Sequence, residues 1–265
     1  MSTSSFNDFF ERWLTEQEHH LESLVVAAAN GQAGDGFLRD LKGRVLEHYE
    51  EYYRAKSEWA HRDVLAVLSP SWRTSLEEVF LWIGGWRPST AFHVLYSKSG
   101  LQFETQIRDH QGRHNGDSVV ADLAGLSPRQ FGLIDELQRN TIKEERRLTE
   151  KLAKVQESIA DVSMVDLTHA VSEMMRRTDD DDDDDVERSS NGVSEEQVER
   201  ALVPKKRKME ELLRKADDLR VVTLRSIVDE ILTPIQAVHF LIAVGELHLR
   251  VHDWGKRGDE RLQGN

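Results

Sequence analysis

Proline is what most narrows the folds open to this chain: there are five in 265 residues, and the spacing places them at helix starts or stops. A ring-locked φ and a missing N–H disfavour proline in helix interiors and central strands, so its scarcity leaves long stretches over which a helix can propagate. Those stretches carry apolar residues at three- and four-residue intervals, the period of a helix with one buried face. No two alternating segments flank a tight-turn dipeptide, and no internal repeat recurs. The pattern predicts an all-α protein, a single elongated helical bundle with one long central helix and a disordered acidic insert.

An amphipathic segment from about Phe6 to Ala29 comes first, with Phe6, Phe9, Phe10, Trp13 and Leu14 on one stripe, and it ends in the glycine-rich stretch Gly31 to Gly36. A second helical region, Phe37 to Leu68, carries Tyr49, Tyr52, Tyr53 and Trp59 and stops before Pro70. Ser75 and Glu78 have capping-box spacing, and Gly84 and Gly85 are expected to end the helix that follows. Another helix should carry Ala91 to Tyr96, before a polar loop from about Asp109 to Asp117. Ser127 and Pro128 form a strong start for a long charged helix through Leu133, Leu137, Leu148 and Leu152 toward Ile159. Thr233 and Pro234 start the last helix, which is expected to reach Trp254 and stop at Gly255.

Seven consecutive aspartates, Asp179 to Asp185, followed by Ser189, Ser190, Asn191 and Gly192, have too little apolar surface to offset the entropy of ordering. They divide the expected bundle into 1–178 and 194–256, with a disordered insert at 179–193 and a disordered tail at 257–265. The net charge of -13 opposes sequence-independent binding to a phosphate backbone. Removing the seven aspartates from -13 leaves -6, ordinary for a globular domain. There is no cysteine, hence no disulfide and no thiolate chemistry. Neither a signal-peptide pattern at Met1 to Phe6 nor an apolar run long enough to span a bilayer occurs, so neither secretion by that route nor a membrane span is expected.

His248 and His252 are the leading site candidates, because four-residue spacing puts both rings on one helix face about 40° apart. Projection sets them amid Leu241, Val244 and Leu249, with Glu246, Arg250, Asp253 and His239 on the opposite arc and Gly245 leaving space one turn before His248. Such a pair reads either as buried, hydrogen-bonded core histidines or as ligands; zinc is disfavoured, since no cysteine exists and the nearby acids project away. Phe9, Phe10 and Trp13 could form a docking face for a partner groove, or simply core. Pro204, Lys205, Lys206, Arg207 and Lys208 have the composition of a nuclear import signal, or of a solvated first helical turn. No P-loop, nucleophile elbow or HExxH motif is found, and an enzyme is not expected.

Several runs carry a resemblance: FFERWL from Phe9, HYEEY from His48, FLWIGGWRPS from Phe80 to Ser89, LAGLS from Leu123, LTPIQA from Leu232 and LHLRVHDWG from Leu247 to Gly255. Together they resemble the delay-of-germination domain of plants, which is also the C-terminal domain of TGA-type bZIP transcription factors. With the domain starting inside the first ten residues, there is no room for a zipper ahead of it, so a stand-alone member is expected. The resemblance implies a non-catalytic regulator in seed dormancy and abscisic-acid signalling that works through protein contacts. Its partners would be signalling proteins such as protein phosphatases, and bZIP factors through which alone DNA is reached; a homodimer is a further arrangement to test. It implies a nuclear location, extending to the cytoplasm. It also implies haem, with His248 and His252 toward the iron and Gly245 giving the porphyrin room. Two histidines on one helix approach from the same side, so one would ligate while the other supports it, or a second axial ligand would come from elsewhere.

Overall fold

A computed structural model describes the backbone of residues 3–29, 33–112, 123–178 and 187–263. Among these the fold is all-α, with helices α1 (Thr3–Ala29), α2 (Asp35–Ala60), α3 (Val64–Leu68), α4 (Ser75–Val79), α5 (Thr90–Gly112), α6 (Pro128–Glu157), α7 (Val162–Thr178), α8 (Glu187–Arg225) and α9 (Pro234–Gln263). Short 3-10 turns at Leu123–Gly125 and Ser158–Ala160 and a π turn at Ser226–Ile231 link them. α9 packs against α1, α2, α4 and α5, while α8 packs against α2, α3, α6 and α7. Phe10, Leu41, Val45, Phe92, Leu95, Ile134, Leu213, Ala237, Phe240 and Leu241 fill the space between them.

The start of α6 forms as its residues dictate: Ser127 Oγ accepts from the Gln130 N–H, and Gln130 Oε1 accepts from the Ser127 N–H at 2.9 Å. Gln130 Nε2 also donates to Ile231 O and to Gln236 Oε1, tying this cap to the start of α9. At α4 the capping box lies one residue earlier than its spacing predicts, on Thr74 and Glu77. The reason is tertiary, since the Ser75 N–H is taken by Asp259 Oδ2 of α9 at 3.1 Å and the Glu77 side chain is drawn into the core. The Phe37 to Leu68 region is two helices, because Asp63 Oδ1 caps Ala66 and restarts the chain as α3.

Gly84 and Gly85 do not end α4, which stops at Val79; they close a separate turn in which Trp82 and Gly85 pair backbone to backbone. Ile83 (φ 46°) and Gly84 (φ 65°) both lie in the left-handed region. For a β-branched residue that is costly, and it persists only where surroundings over-determine it. Here they do. Arg220 donates to the carbonyls of Trp82, Ile83 and Trp86, and Lys56 donates to Gly84 O and Asp217 Oδ1, each at 2.8 Å. Burial pulls the Lys56 ammonium down to about 7 against the attraction of Asp217.

The last helix also departs from expectation. Gly255 does not stop α9, which continues through Gln263, so much of the tail expected to be irregular is helical. A Cβ on Gly255 would sit 2.0 Å from Thr74 Oγ1, so the glycine is there for close helix approach, not for a turn. Pro204 lies inside α8 rather than at a helix start; it and Arg200, whose carbonyl loses its N–H partner, are both exposed, and water can serve that carbonyl. Residues 179–186 of the acidic insert lie outside the described residues. Its remainder, 187–193, belongs to α8, since extending an existing helix costs far less than nucleating one. The loop expected from Asp109 is helical as far as Gly112, and 113–122 lie outside the described residues.

Candidate functional site

α9 places His248 and His252 one turn apart on its inner face, and both are buried at 8% and 7% exposure. α1 covers them with Phe10 and Trp13, α2 with His48, Tyr49 and Tyr52, and α4 with Glu77. The result is an aromatic cage. The Trp13 ring stacks on His48 at 4.6 Å between centroids and lies 5.2 Å from His248, while its N–H donates to His48 O at 3.0 Å. Tyr49 and Trp86 complete the surround of His248 at 6.5 and 6.4 Å.

The charge in this cage is concentrated on Glu77. Its Oε1 accepts from Arg73 Nη1 at 2.7 Å, and its Oε2 faces His252 Nδ1 at 2.8 Å and accepts from Thr74 N and Oγ1 at 3.0 and 2.9 Å. Arg73 Nη2 donates to Tyr52 OH at 3.0 Å. Burial alone would raise the Glu77 carboxyl, but the His252 hydrogen bond, the Arg73 charge and the Thr74 N–H outweigh it and hold it down to about 2. Burial pulls the Arg73 guanidinium downward, and Tyr52 and Glu77 overcome this and leave it raised. An ionised carboxylate can only accept, so His252 Nδ1 carries the proton and Nε2 is left facing the core.

The two remaining buried histidines are kept neutral. His248 is held down to about 3, chiefly by burial and secondarily by Arg73, and His48 to about 4 by burial and His20. His48 Nδ1 lies 3.6 Å from Glu16, too far for a hydrogen bond, and neither of its ring nitrogens has a partner. The Nε2 atoms of His248 and His252 are likewise buried and unpartnered. Among the described residues no group of three or more metal-ligating side chains converges.

The expected haem face can be tested on this geometry. Its donors fit, since two imidazole nitrogens are buried and unsatisfied, and one is buttressed by a carboxylate through its other nitrogen. Its space does not fit. A Cβ on Gly245 would meet Gln17 Nε2 at 3.0 Å and Leu21 at 3.6 Å, so the glycine makes room for α1 and not for a porphyrin. Gln17 in turn donates to Tyr49 OH at 3.1 Å, and the space left beside His248 is about 110 Å³. In this packing the residues do not accept a porphyrin.

The other candidates are placed as follows. Phe10 and Trp13 are buried at 0% and 3% and Phe9 is packed against Phe6, so the docking face expected of them is spent on the core. The basic run lies along α8, where Lys205 is bound to Ser158 O and Asp161 and Lys206 to Glu199, while Arg207 and Lys208 are exposed. His239, expected to face solvent, is half-buried, with its ring 3.5 Å from Gln102. Sequence reasoning missed Glu77, Arg73 and His48. Glu77 had a visible signal as a capping acid one residue from the expected register, but nothing local connects it to a histidine 175 residues away.

Likeness in sequence to known proteins extends over nearly the full length of this chain. A family model described as seed dormancy control (DOG1) matches residues 19–97. The DOG1-like 2 protein of Arabidopsis thaliana is 32% identical over 250 residues, which cover 93% of this chain and 88% of that protein; DOG1-like 3 is 31% identical, covering 96% and 85%. The TGA-2.1 DNA-binding protein of Nicotiana tabacum is 29% identical over 97% of this chain but only 48% of its own length. On the strength of that two-sided coverage by the first two relatives, the chain belongs to the DOG1 family.

Proposed function

We propose that this chain is a non-catalytic regulatory protein of the DOG1 type, acting in seed dormancy and abscisic-acid signalling through protein contacts, with protein phosphatases among its partners. The observation that carries this reading is the end-to-end likeness to DOG1-like proteins, over more than 90% of this chain. A test is germination timing, with and without abscisic acid, in seeds lacking this protein, alongside a titration of the purified chain with recombinant protein phosphatases. Earlier germination and saturable phosphatase binding support it. Unchanged germination and no binding overturn it.

A transcriptional co-regulator is the second reading, favoured by the TGA relatives, whose likeness spans 93% to 97% of this chain. In that reading the protein reaches DNA through a bZIP partner and is nuclear, with Pro204 to Lys208 directing import; a homodimer would follow the same logic of pairing. Co-purification with a bZIP factor is the discriminating result. As for haem, His248 and His252 could reach an iron only once α1 has moved off α9. A haem titration should then give a Soret shift together with faster proteolysis within α1, and the shift should vanish in the His248→Ala, His252→Ala double variant. A shift that survives the double variant would place any haem elsewhere.

A further inference from the structure

A cavity opens beside the histidine cage, bordering His248 and the Arg73 end of Glu77's network. It is walled by Trp13, Tyr49, Tyr53, Trp86, Val94 and Leu247, and closed by Ala91 of α5 and Thr223 of α8, with about 110 Å³ of space. A dry engineered cavity of about 150 Å³ admits benzene, and this space is somewhat smaller, so it holds at most one ring, with any substituent at the open mouth, and neither an extended chain nor a porphyrin. Its mouth is at Leu247 and Arg87, both exposed.

Polar groups among the walls set the kind of ring. Three guanidinium groups line the cavity, those of Arg73, Arg87 and Arg220, and no carboxylate does. Arg73 is taken by Glu77 and Tyr52, and Arg220 by Asp217 and backbone carbonyls. Arg87 is different. Glu145 binds the N–H and hydroxyl of Ser89 at 2.6 and 3.0 Å, leaving Arg87 with a 3.6 Å approach to that carboxylate and a seat over the Trp82 ring. Three wall residues also hold buried polar atoms without a partner: Trp86 Nε1, Arg73 Nε and His248 Nε2. The first two can only donate, and unsatisfied buried donors call for an acceptor.

We propose that this cavity is a binding site for a small one-ring carboxylic acid, its ring held among Trp13, Tyr49 and Trp86 and its carboxylate met by Arg87 at the mouth. Apolar walls with a few fixed polar groups are the usual make-up of small-molecule sites. The site also bridges α1, α2, α5, α8 and α9, so a bound ring would add a further tie between elements already joined by packing and a few hydrogen bonds. The inference does not depend on the regulatory reading above, since it concerns binding to the isolated chain.

Benzoate and benzamide are the probes, a charged and a neutral ring of nearly equal shape, each titrated at pH 7 to about 10 mM because affinities of small rings sit near the millimolar range. Tryptophan fluorescence reads the binding, as Trp13 and Trp86 line the cavity. Benzoate should bind saturably, about tenfold tighter than benzamide, the difference expected of one charge-assisted hydrogen bond. Arg87→Gln should remove that tenfold preference and leave benzamide unchanged. Ala91→Phe, which fills the cavity, should abolish both, with helical circular dichroism showing that it folds; should it not fold, Arg87→Gln decides alone, its side chain being exposed. Equal affinity for the two probes, no saturable binding, or a preference unchanged by Arg87→Gln would each overturn the proposal.

Discussion

Glu77 holds Arg73, Thr74 and His252 at once, and it does so from a fully buried position. Removing its charge would leave the Arg73 guanidinium in the core with no anionic partner, and stranding a buried charge in this way costs roughly 3–5 kcal/mol. Glu77→Gln should therefore lower the unfolding free energy by about that amount in urea titrations. A loss under about 1 kcal/mol would show that the network is relaxed by water. Gly255 offers a second test with its own control. Gly255→Ala drives a methyl group into Thr74 and should destabilise despite the better helix former, whereas Gly258→Ala, with nothing within 4 Å, should stabilise by up to about 1 kcal/mol. Equal and opposite shifts in thermal midpoint are not required; opposite signs are.

Among elements, α8 carries the most divided roles. Its Lys56-facing end fastens the left-handed turn at Ile83 and Gly84 through Asp217 and Arg220. Its basic run does two things at once: Lys205 pins α8 to the turn between α6 and α7, and Arg207 and Lys208 face solvent. A fluorescent fusion, enlarged to block passive diffusion, should lose nuclear enrichment when Lys205, Lys206, Arg207 and Lys208 are all changed to alanine. Arg207→Ala with Lys208→Ala should produce most of that loss, because only these two cations are open to a receptor. If the pair has no effect and the four-fold variant does, the import reading yields to simple loosening of α8.

At the scale of the molecule, the buried histidines make stability depend on acid. His48 and His248 have folded values of about 4 and about 3 against an ordinary 6.5, so below pH 6.5 the unfolded chain takes up protons that the folded chain refuses. Stability is fully present above 6.5 and falls as pH drops toward 4, by roughly 2 kcal/mol per histidine at pH 5. Glu77, at about 2 against 4.5, adds loss of the same sign below pH 4.5. The thermal midpoint should therefore fall steadily between pH 6.5 and 4.5, and a His48→Gln variant should show a shallower fall than the parent. A flat profile would mean that the histidines charge without disturbing α1.

The helices, the cap at Ser127 and the burial of His248 and His252 were legible in the sequence because each depends on residues within one or two turns of chain. Family membership was legible too, from runs spread over the whole length. Residues whose role is set by something far along the chain were not legible. Gly245 and Gly255 read as space for a cofactor and as a helix stop, yet each makes room for a neighbouring element, Gln17 of α1 and Thr74 before α4. The capping register at Thr74 was decided by Asp259 of α9, and the aromatic stripe of Phe9, Phe10 and Trp13 went to the core because α2 and α9 cover it. Periodicity fixes which face of a helix is apolar, but only packing decides what meets that face, since the same buried stripe can be satisfied by a porphyrin, a partner or another helix of the same chain. Here another helix takes it.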